Sequence, residues 1–518
     1  MNAYVQGDPS VSEYFNGSWQ DPEAYRAMLD SIDRRFDEGA RCRALEAMDT
    51  RCGVGQDRLD HWVEGSGLVV TTGQQPGLLG GPLYSLYKGL TTVRLAKRLE
   101  AILDRPVLPV FWIASEDHDW EESDHTYLID TSNQLTHVQV SDPGSDNRAI
   151  HRVPLGAAVD RLVVEVSQLL PNSEFSESYI QVVRDAYTPE ATLADGFRMV
   201  LKAFFEPLGV LFTDAANPVL KAASRDVLFA ELNNAEAHEE ILREDAERLE
   251  EAGHGVQAPI LEGGVNLFLE GPKGRERLYR HPDGFEMHRS GETLTVDEIR
   301  ARVQENPLAL SPNVLFRPLV ESTVFPVASY VAGPGELAYY GQLKRLYEAH
   351  DLRMPVLFPR HAVTVVESKI RKVIDKFDLE PDDLRRPYHE IASEIAREEV
   401  PVDVRRALGD LRGSISEGSG ELMKAARSID STLKGPVTHA RNAALSAFKN
   451  VERKIVQSVK RENEIGLAQL EKAHLHLFPD GKPQERVLNP LYYLARYGNE
   501  FIEALVHAFE VDLTDGTE

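Results

Sequence analysis

The chain has 518 residues, 42% hydrophobic and 27% charged, with 83 acidic residues against 57 basic ones and a formal net charge of −26. That length exceeds one ordinary core, so two or three domains are expected, and the composition is that of a folded globular protein rather than a disordered one. The negative field disfavours nucleic acid as a partner. Two cysteines, Cys42 and Cys52, are too few for a disulfide scaffold. No apolar run is long enough to span a membrane and no leader pattern opens the chain, so the expected home is a reducing cytoplasm without membrane contact.

Residues 20–62 carry apolar side chains at mixed three and four spacings (Tyr25, Met28, Leu29, Ile32, Phe36) and predict helix. GLVVTTGQQPG (67–77) reads as a short β-branched strand running into a glycine turn, and 83–103 has helical periodicity. VLPVFWIAS (107–115) is apolar throughout and short enough for a buried strand, which completes a βαβ unit. Between 124 and 320 the pattern breaks into strand-like pieces, among them 265–271 and 276–280, separated by helices. Strand–helix alternation resumes from 324, so a covered parallel sheet is the expected product.

Beyond Pro401 the texture changes. Val404, Leu408, Leu411, Ile415, Leu422, Ala425 and Ile429 recur at heptad spacing, with Gly418 at the missing seam position. Gly435 and Pro436 are expected to break that helix, and Phe448, Val451, Ile455 and Val459 mark a second one that Pro479 and Gly481 stop. At 1.5 Å per residue, two helices of about 33–38 residues would each extend roughly 50–57 Å. An antiparallel coiled-coil hairpin is the reading, with two core helices of a bundle as the alternative.

Three constellations carry candidate chemistry. In TTGQQPGLLGGPLYSLYK (71–88), Gly73, Gly77, Gly80 and Gly81 lie between strand and helix, where backbone amides can approach an anion. Gln74 and Gln75 add neutral donors, and Tyr84 and Lys88 share a helix face. In SEDHDW (115–120), Glu116, Asp117, His118 and Asp119 follow the second strand, where open α/β sheets bind ligands. Such groups suit a magnesium ion, an amine or a general base, although a solvated acidic loop would look the same. His118 and His125 are seven apart with no thiol nearby, so no metal site is expected from these histidines. In ASYVAGPGELAYYGQL (328–343), Gly333 and Glu336 repeat the strand–turn–helix pattern, with Arg317 and Arg360 flanking it as candidate carboxylate or phosphate ligands.

The strings TGQQPGLLGGPLYSLYK, PVFWIASEDHDWEE, SPNVLFRPL, AGPGELAYYGQL and MPVLFPR, in this order and ahead of a coiled coil, resemble the cysteine ligase family of bacillithiol biosynthesis over nearly the whole chain. The resemblance implies an α/β fold with a Rossmann-like parallel-sheet core, α+β insertions and a C-terminal antiparallel coiled-coil hairpin. It also implies homodimerisation and addition of cysteine to glucosaminyl-malate. The corresponding division is 1–123 and 321–400 for the two parts of the core, 124–320 for the connecting insertions, 401–480 for the hairpin and 481–518 for a C-terminal helical segment. One departure is Tyr87-Lys88 where the family pattern implies His-Lys, so a mechanism needing an imidazole at that position is not open to this chain.

Amide formation from a free carboxylate is uphill in water, so the expected cosubstrate is ATP, with Mg2+ as its companion ion. In this reading Gly73, Gln74, Gln75, Gly81, Tyr84 and Lys88 hold phosphate. Glu116, Asp117, His118 and Asp119 meet an amine or metal, and Arg317, Gly333, Glu336 and Arg360 bind substrate. A metal-dependent hydrolase built on the Glu116–Asp119 cluster and a noncatalytic coiled-coil interaction protein are the alternatives.

Overall fold

The computed structural model describes residues 2–51 and 53–513, so Cys52 lies outside the described residues. By internal contacts the chain divides into two compact units. One comprises Met1–Ser132, Thr136–Val363 and Glu485–Glu518, and the other Asn133–Leu135 and Thr364–Gln484.

The first unit is built on five parallel strands, β1 (Leu68–Gln74), β2 (Val107–Ile113), β3 (Leu211–Asp214), β4 (Val327–Ala332) and β5 (Val356–Pro359), in spatial order β5-β4-β1-β2-β3. All of β2 and β4 and all but the last residue of β1 are buried, as strands covered on both faces must be. The crossover helix α1 (Leu83–Leu103) sets Leu95 and Leu99 against Leu68, Val70, Val331 and Phe358, forming a core beneath the sheet. Each such side chain contributes roughly 1.5–3 kcal/mol when fully buried. From β1 the chain winds outward through β2 to β3, then returns to the other side of β1 for β4 and β5. That reversal opens a crevice beyond the carboxyl ends of β1 and β4, the switch point at which doubly wound sheets take their ligands.

The stretch 124–320 is therefore not insertion alone, because it supplies β3, which pairs with β2 from Val110↔Leu211 to Ile113↔Asp214. It also supplies a five-stranded antiparallel sheet whose central hairpin pairs Gly264–Gly271 with Gly274–His281. The helix α2 (Pro218–Asn233) leads from β3 toward that sheet, and α3 (Arg317–Val324) and α4 (Pro334–Tyr340) flank β4. The N-terminal 20–62 region forms short helices, Pro22–Arg26, Leu29–Asp33, Glu38–Glu46 and Gln56–Glu64, rather than one long one. The C-terminal segment from 485 belongs to this unit. There Asn489 Nδ2 donates to the carbonyls of Leu79 (3.0 Å) and Gly81 (2.9 Å), stapling the glycine-rich turn after β1.

In the second unit, α5 (Val402–Ile429) and α6 (Lys434–Glu462) form the helical hairpin, and α7 (Glu464–Leu477) continues after an interruption at Asn463. The turn falls at Asp430–Leu433, earlier than the sequence pattern places it. Gly435 and Pro436 lie inside the first turn of α6, where the N–H that proline lacks would have had no helical acceptor. The heptad stripe divides. Val404, Leu408 and Ile415 are half-buried, whereas Leu411, Leu422 and Ile429 are 50%, 55% and 82% exposed. Ile370, Ile374, Leu384, Ile391, Leu470 and Leu477 make the unit's own apolar core. Among the described residues no helix is long and apolar enough to cross a membrane.

Candidate functional site

A cavity of about 530 Å³ occupies the switch-point crevice of the first unit. Its wall brings together Gly73, Gln74, Gln75, Tyr84, Lys88, Glu116, Asp117, His118, Arg317, Gly333, Glu336 and Arg360, drawn from all three sequence constellations. Asp119 and Gly81 are not part of that wall. Asp119 caps the short helix Trp120–Ser123 by accepting from the amide of Glu122, a role its D-x-x-E spacing foreshadows. Gly81 has φ +72°, and a Cβ there would stand 3.0 Å from Ser85 Oγ, so the glycine serves the turn itself.

Lys88 projects from α1 across the end of β1 and spends its three N–H donors inside the protein. It bonds the carbonyl of Gly73 (2.6 Å), Oε1 of Gln74 (3.1 Å) and Oε2 of Glu336 (2.6 Å). Glu336 in turn accepts from Tyr330 Oη (2.5 Å) and the Gly333 amide (2.7 Å). Burial pulls the Lys88 ammonium below the ordinary lysine value, opposed by Glu336. Burial works to raise the Glu336 carboxyl, but the charge and hydrogen bonds of Lys88 outweigh it and hold the group below its usual value. Lys88 is thus a committed cation that fixes the cleft floor, not a spare charge waiting for phosphate.

Other expected ligands are also paired. Arg317 meets Glu321 (2.8 Å) and donates to Tyr330 Oη (3.2 Å), and Arg360 forms a two-pronged pair with Glu485 (2.6 and 2.9 Å). Glu116 is neutralised by the buried Lys221 of α2, whose Nζ also donates to the Leu310 carbonyl (2.8 Å). Asp117 Oδ1 accepts from the amides of His118 (2.6 Å) and Asp119 (3.1 Å). These carboxylates do not converge on one point. Tyr87 lies outside the cavity, fully buried, with its hydroxyl donating to the Val363 carbonyl (3.2 Å) and its phenol pushed upward by burial. Cys42 is exposed on the helix Glu38–Glu46, away from the cleft.

Several lining groups carry no local sequence signal. The antiparallel hairpin delivers Phe268, Arg275 and Arg277, with the Arg275 guanidinium 3.9 Å and that of Arg277 4.9 Å from the Phe268 ring centroid. Arg275 donates to Ser311 Oγ (2.9 Å) and the Pro312 carbonyl (2.8 Å). Its Nη1 stands 3.3 Å from His118 Nδ1, which an arginine can only approach as donor, so the His118 proton sits on Nε2. Burial and the Arg275 charge hold His118 below the ordinary histidine value. Arg275, Arg277 and Arg486 form no ion pair among the described residues, and Trp112 Nε1, also in the wall, is buried without a hydrogen-bond partner. Six basic side chains (Lys88, Arg275, Arg277, Arg317, Arg360, Arg486) face three acidic ones (Glu116, Asp117, Glu336) around this cavity, in a chain whose net charge is −26.

An open parallel α/β sheet with a crevice at its switch point, lined by more basic than acidic side chains, defines a Rossmann-like core. The N-terminal Rossmann-like domain of bacillithiol biosynthesis BshC matches residues 1–361, and the C-terminal coiled-coil domain of BshC matches 363–513. Three relatives bear the name "Putative cysteine ligase BshC". That of Salinibacter ruber is 31% identical over 98% of this chain and 94% of its own length. That of Desulforamulus reducens is 30% identical over 86% and 83%, and that of Symbiobacterium thermophilum 29% identical over 99% and 95%. The chain belongs to the BshC family.

Proposed function

We propose that this protein joins the carboxyl group of cysteine to the amine of glucosaminyl-malate, giving bacillithiol, with ATP as the activating cosubstrate. The supporting observation is the positive excess lining the switch-point crevice, above all Arg275, Arg277 and Arg486, none of which forms an ion pair among the described residues. Malate carboxylates and phosphates are the anions such forks match. A cysteine carboxylate oxygen attacks a phosphorus of ATP and releases either ADP or pyrophosphate. The sugar amine then attacks the activated carbonyl, expelling phosphate or AMP and losing a proton. In this scheme Asp117 and the neutral His118 receive the amine and its proton, Mg2+ travels with the nucleotide, and Trp112 Nε1 is an unspent donor to substrate. The Lys88–Glu336 pair orients Gly73 and Gln74 rather than touching phosphate. The exposed Leu411, Leu422 and Ile429 suit a homodimer contact through the hairpin.

A hydrolase centred on Glu116–Asp119 fits less well, because Glu116 is held by Lys221 and Asp119 by its helix cap. Thiol profiling of a deletion strain tests the proposal. Bacillithiol should vanish while glucosaminyl-malate accumulates, and unchanged thiols would count against it.

A further inference from the structure

Outside the cleft, the first unit contains one group of buried ligand-type side chains that the scheme above does not use. Glu231, on the last turn of α2, and His238, on the following helix Ala235–Glu251, are buried, and His350 caps the helix Lys344–Ala349 from a distant part of the chain. One ligand atom from each lies within 4.8 Å of the others. His238 Nδ1 is 2.6 Å from Glu231 Oε2, and the His238 and His350 rings lie tilted at 46° with centroids 4.6 Å apart. Glu231 Oε1 accepts from both the amide (3.0 Å) and the side chain (2.9 Å) of Asn266, which fixes the carboxylate plane. Phe316 holds the far side of the His350 ring edge-on at 5.2 Å.

His350 Nε2 has no hydrogen-bond partner although it is shut away from solvent. A buried polar nitrogen without a hydrogen-bond partner is costly, and such an atom beside a carboxylate and a second imidazole asks for an electrophile. We propose that Glu231, His238 and His350 bind a divalent transition-metal ion, zinc by preference, at a structural site separate from the cleft. Two imidazoles and one carboxylate suit Zn2+, whereas Mg2+ and Ca2+ favour sets made of oxygen alone. Zinc bonds of about 2.0–2.2 Å put tetrahedral ligands roughly 3.3 Å apart, so His238 Nδ1 and Glu231 Oε2 would part from 2.6 Å while the remaining ligand, within 4.8 Å, draws in. The metal takes the place of the proton shared by His238 and Glu231, and that proton is released to solvent. Asn266 is the outer partner that orients the carboxylate. Its Oδ1 accepts from Asn313 Nδ2 at 2.9 Å, and Asn313 lines the cleft, so the ion would brace the cleft wall from behind.

The full-length protein, stripped with chelator and dialysed, would be titrated with Zn2+ and with Co2+. The expected results are one equivalent of zinc retained through gel filtration and visible ligand-field bands with Co2+. Two exchangeable, hyperfine-shifted imidazole N–H signals should appear in the proton spectrum. His350→Phe and His238→Gln, checked for folding by circular dichroism, should lose the bands and the retained zinc. A wild-type protein with neither retained zinc nor cobalt bands overturns the proposal, and so do bands that persist undiminished in both variants. The wild-type spectra decide the matter alone if a variant fails to fold, and loss of ligation activity plays no part in the readout.

Discussion

Removing one partner of the Lys88–Glu336 pair should cost stability, and removing both should cost much less than the sum. Lys88→Met leaves the Glu336 carboxylate, whose side chain is 18% exposed, with two hydrogen-bond donors but no counter-charge. Glu336→Gln leaves a buried ammonium, 5% exposed, with neutral acceptors, the Gly73 carbonyl and Gln74 among them, but no counter-charge. Breaking a buried pair from one side costs about 3–5 kcal/mol. The double variant strands no charge, so a coupling energy of at least about 1.5 kcal/mol is expected. The four tryptophans, Trp19, Trp62, Trp112 and Trp120, all belong to the first unit, so urea unfolding followed by tryptophan fluorescence reports that unit's transition selectively. Single variants within about 1 kcal/mol of wild type whose effects simply add would refute the view of Lys88 as a committed structural cation.

Asp117→Asn should lower cysteine ligation by about 100-fold or more, and Tyr87→Phe by less than about tenfold, because only the first residue lines the cleft. Steady-state rates at saturating substrates on folded proteins check both. The His118 imidazole should titrate below its ordinary value, since burial and Arg275 disfavour its charged form, and Arg275→Gln should shift that titration upward in a histidine C–H NMR experiment. In stability terms the unfolded chain binds this proton first as pH falls below about 6.5, so the His118 contribution is present above that pH and is lost toward the folded value. Sedimentation equilibrium should find a dimer, and the triple variant Leu411→Glu, Leu422→Glu, Ile429→Glu should shift it to monomer while leaving helix content unchanged.

The strands β1, β2, β4 and β5 were legible because each is an apolar run followed by a turn, and that pattern also located the carboxyl end of β1 at Gln74 and the loops carrying Asp117 and Gly333. β3 was not, since four residues, Leu211–Asp214, between two helices offer no periodicity to count. The hairpin was legible as two helices, but its turn was displaced because Gly435 and Pro436 are breakers only in a helix interior, and α6 begins just before them. In the cleft, glycine turns and acidic loops announced themselves locally. Arg275, Arg277 and Arg486 did not, because nothing in their own segments indicates that the antiparallel hairpin and the C-terminal segment fold onto the sheet edge. Sequence could offer Arg317, Arg360 and Lys88 as cations, but whether a cation is spare depends on Glu321, Glu485 and Glu336, and Glu485 is 125 residues from its arginine.

The most direct test supplies purified protein with cysteine, glucosaminyl-malate, Mg2+ and ATP, and follows products by mass spectrometry beside an Arg275→Gln, Arg277→Gln variant. Bacillithiol should form in step with ATP consumption, the nucleotide product distinguishing acyl phosphate from adenylate, and the variant should be slowed by about 100-fold or more. Bacillithiol formed equally well without any nucleotide would contradict the proposed activation, and full turnover in the double variant would place the chemistry outside this cleft.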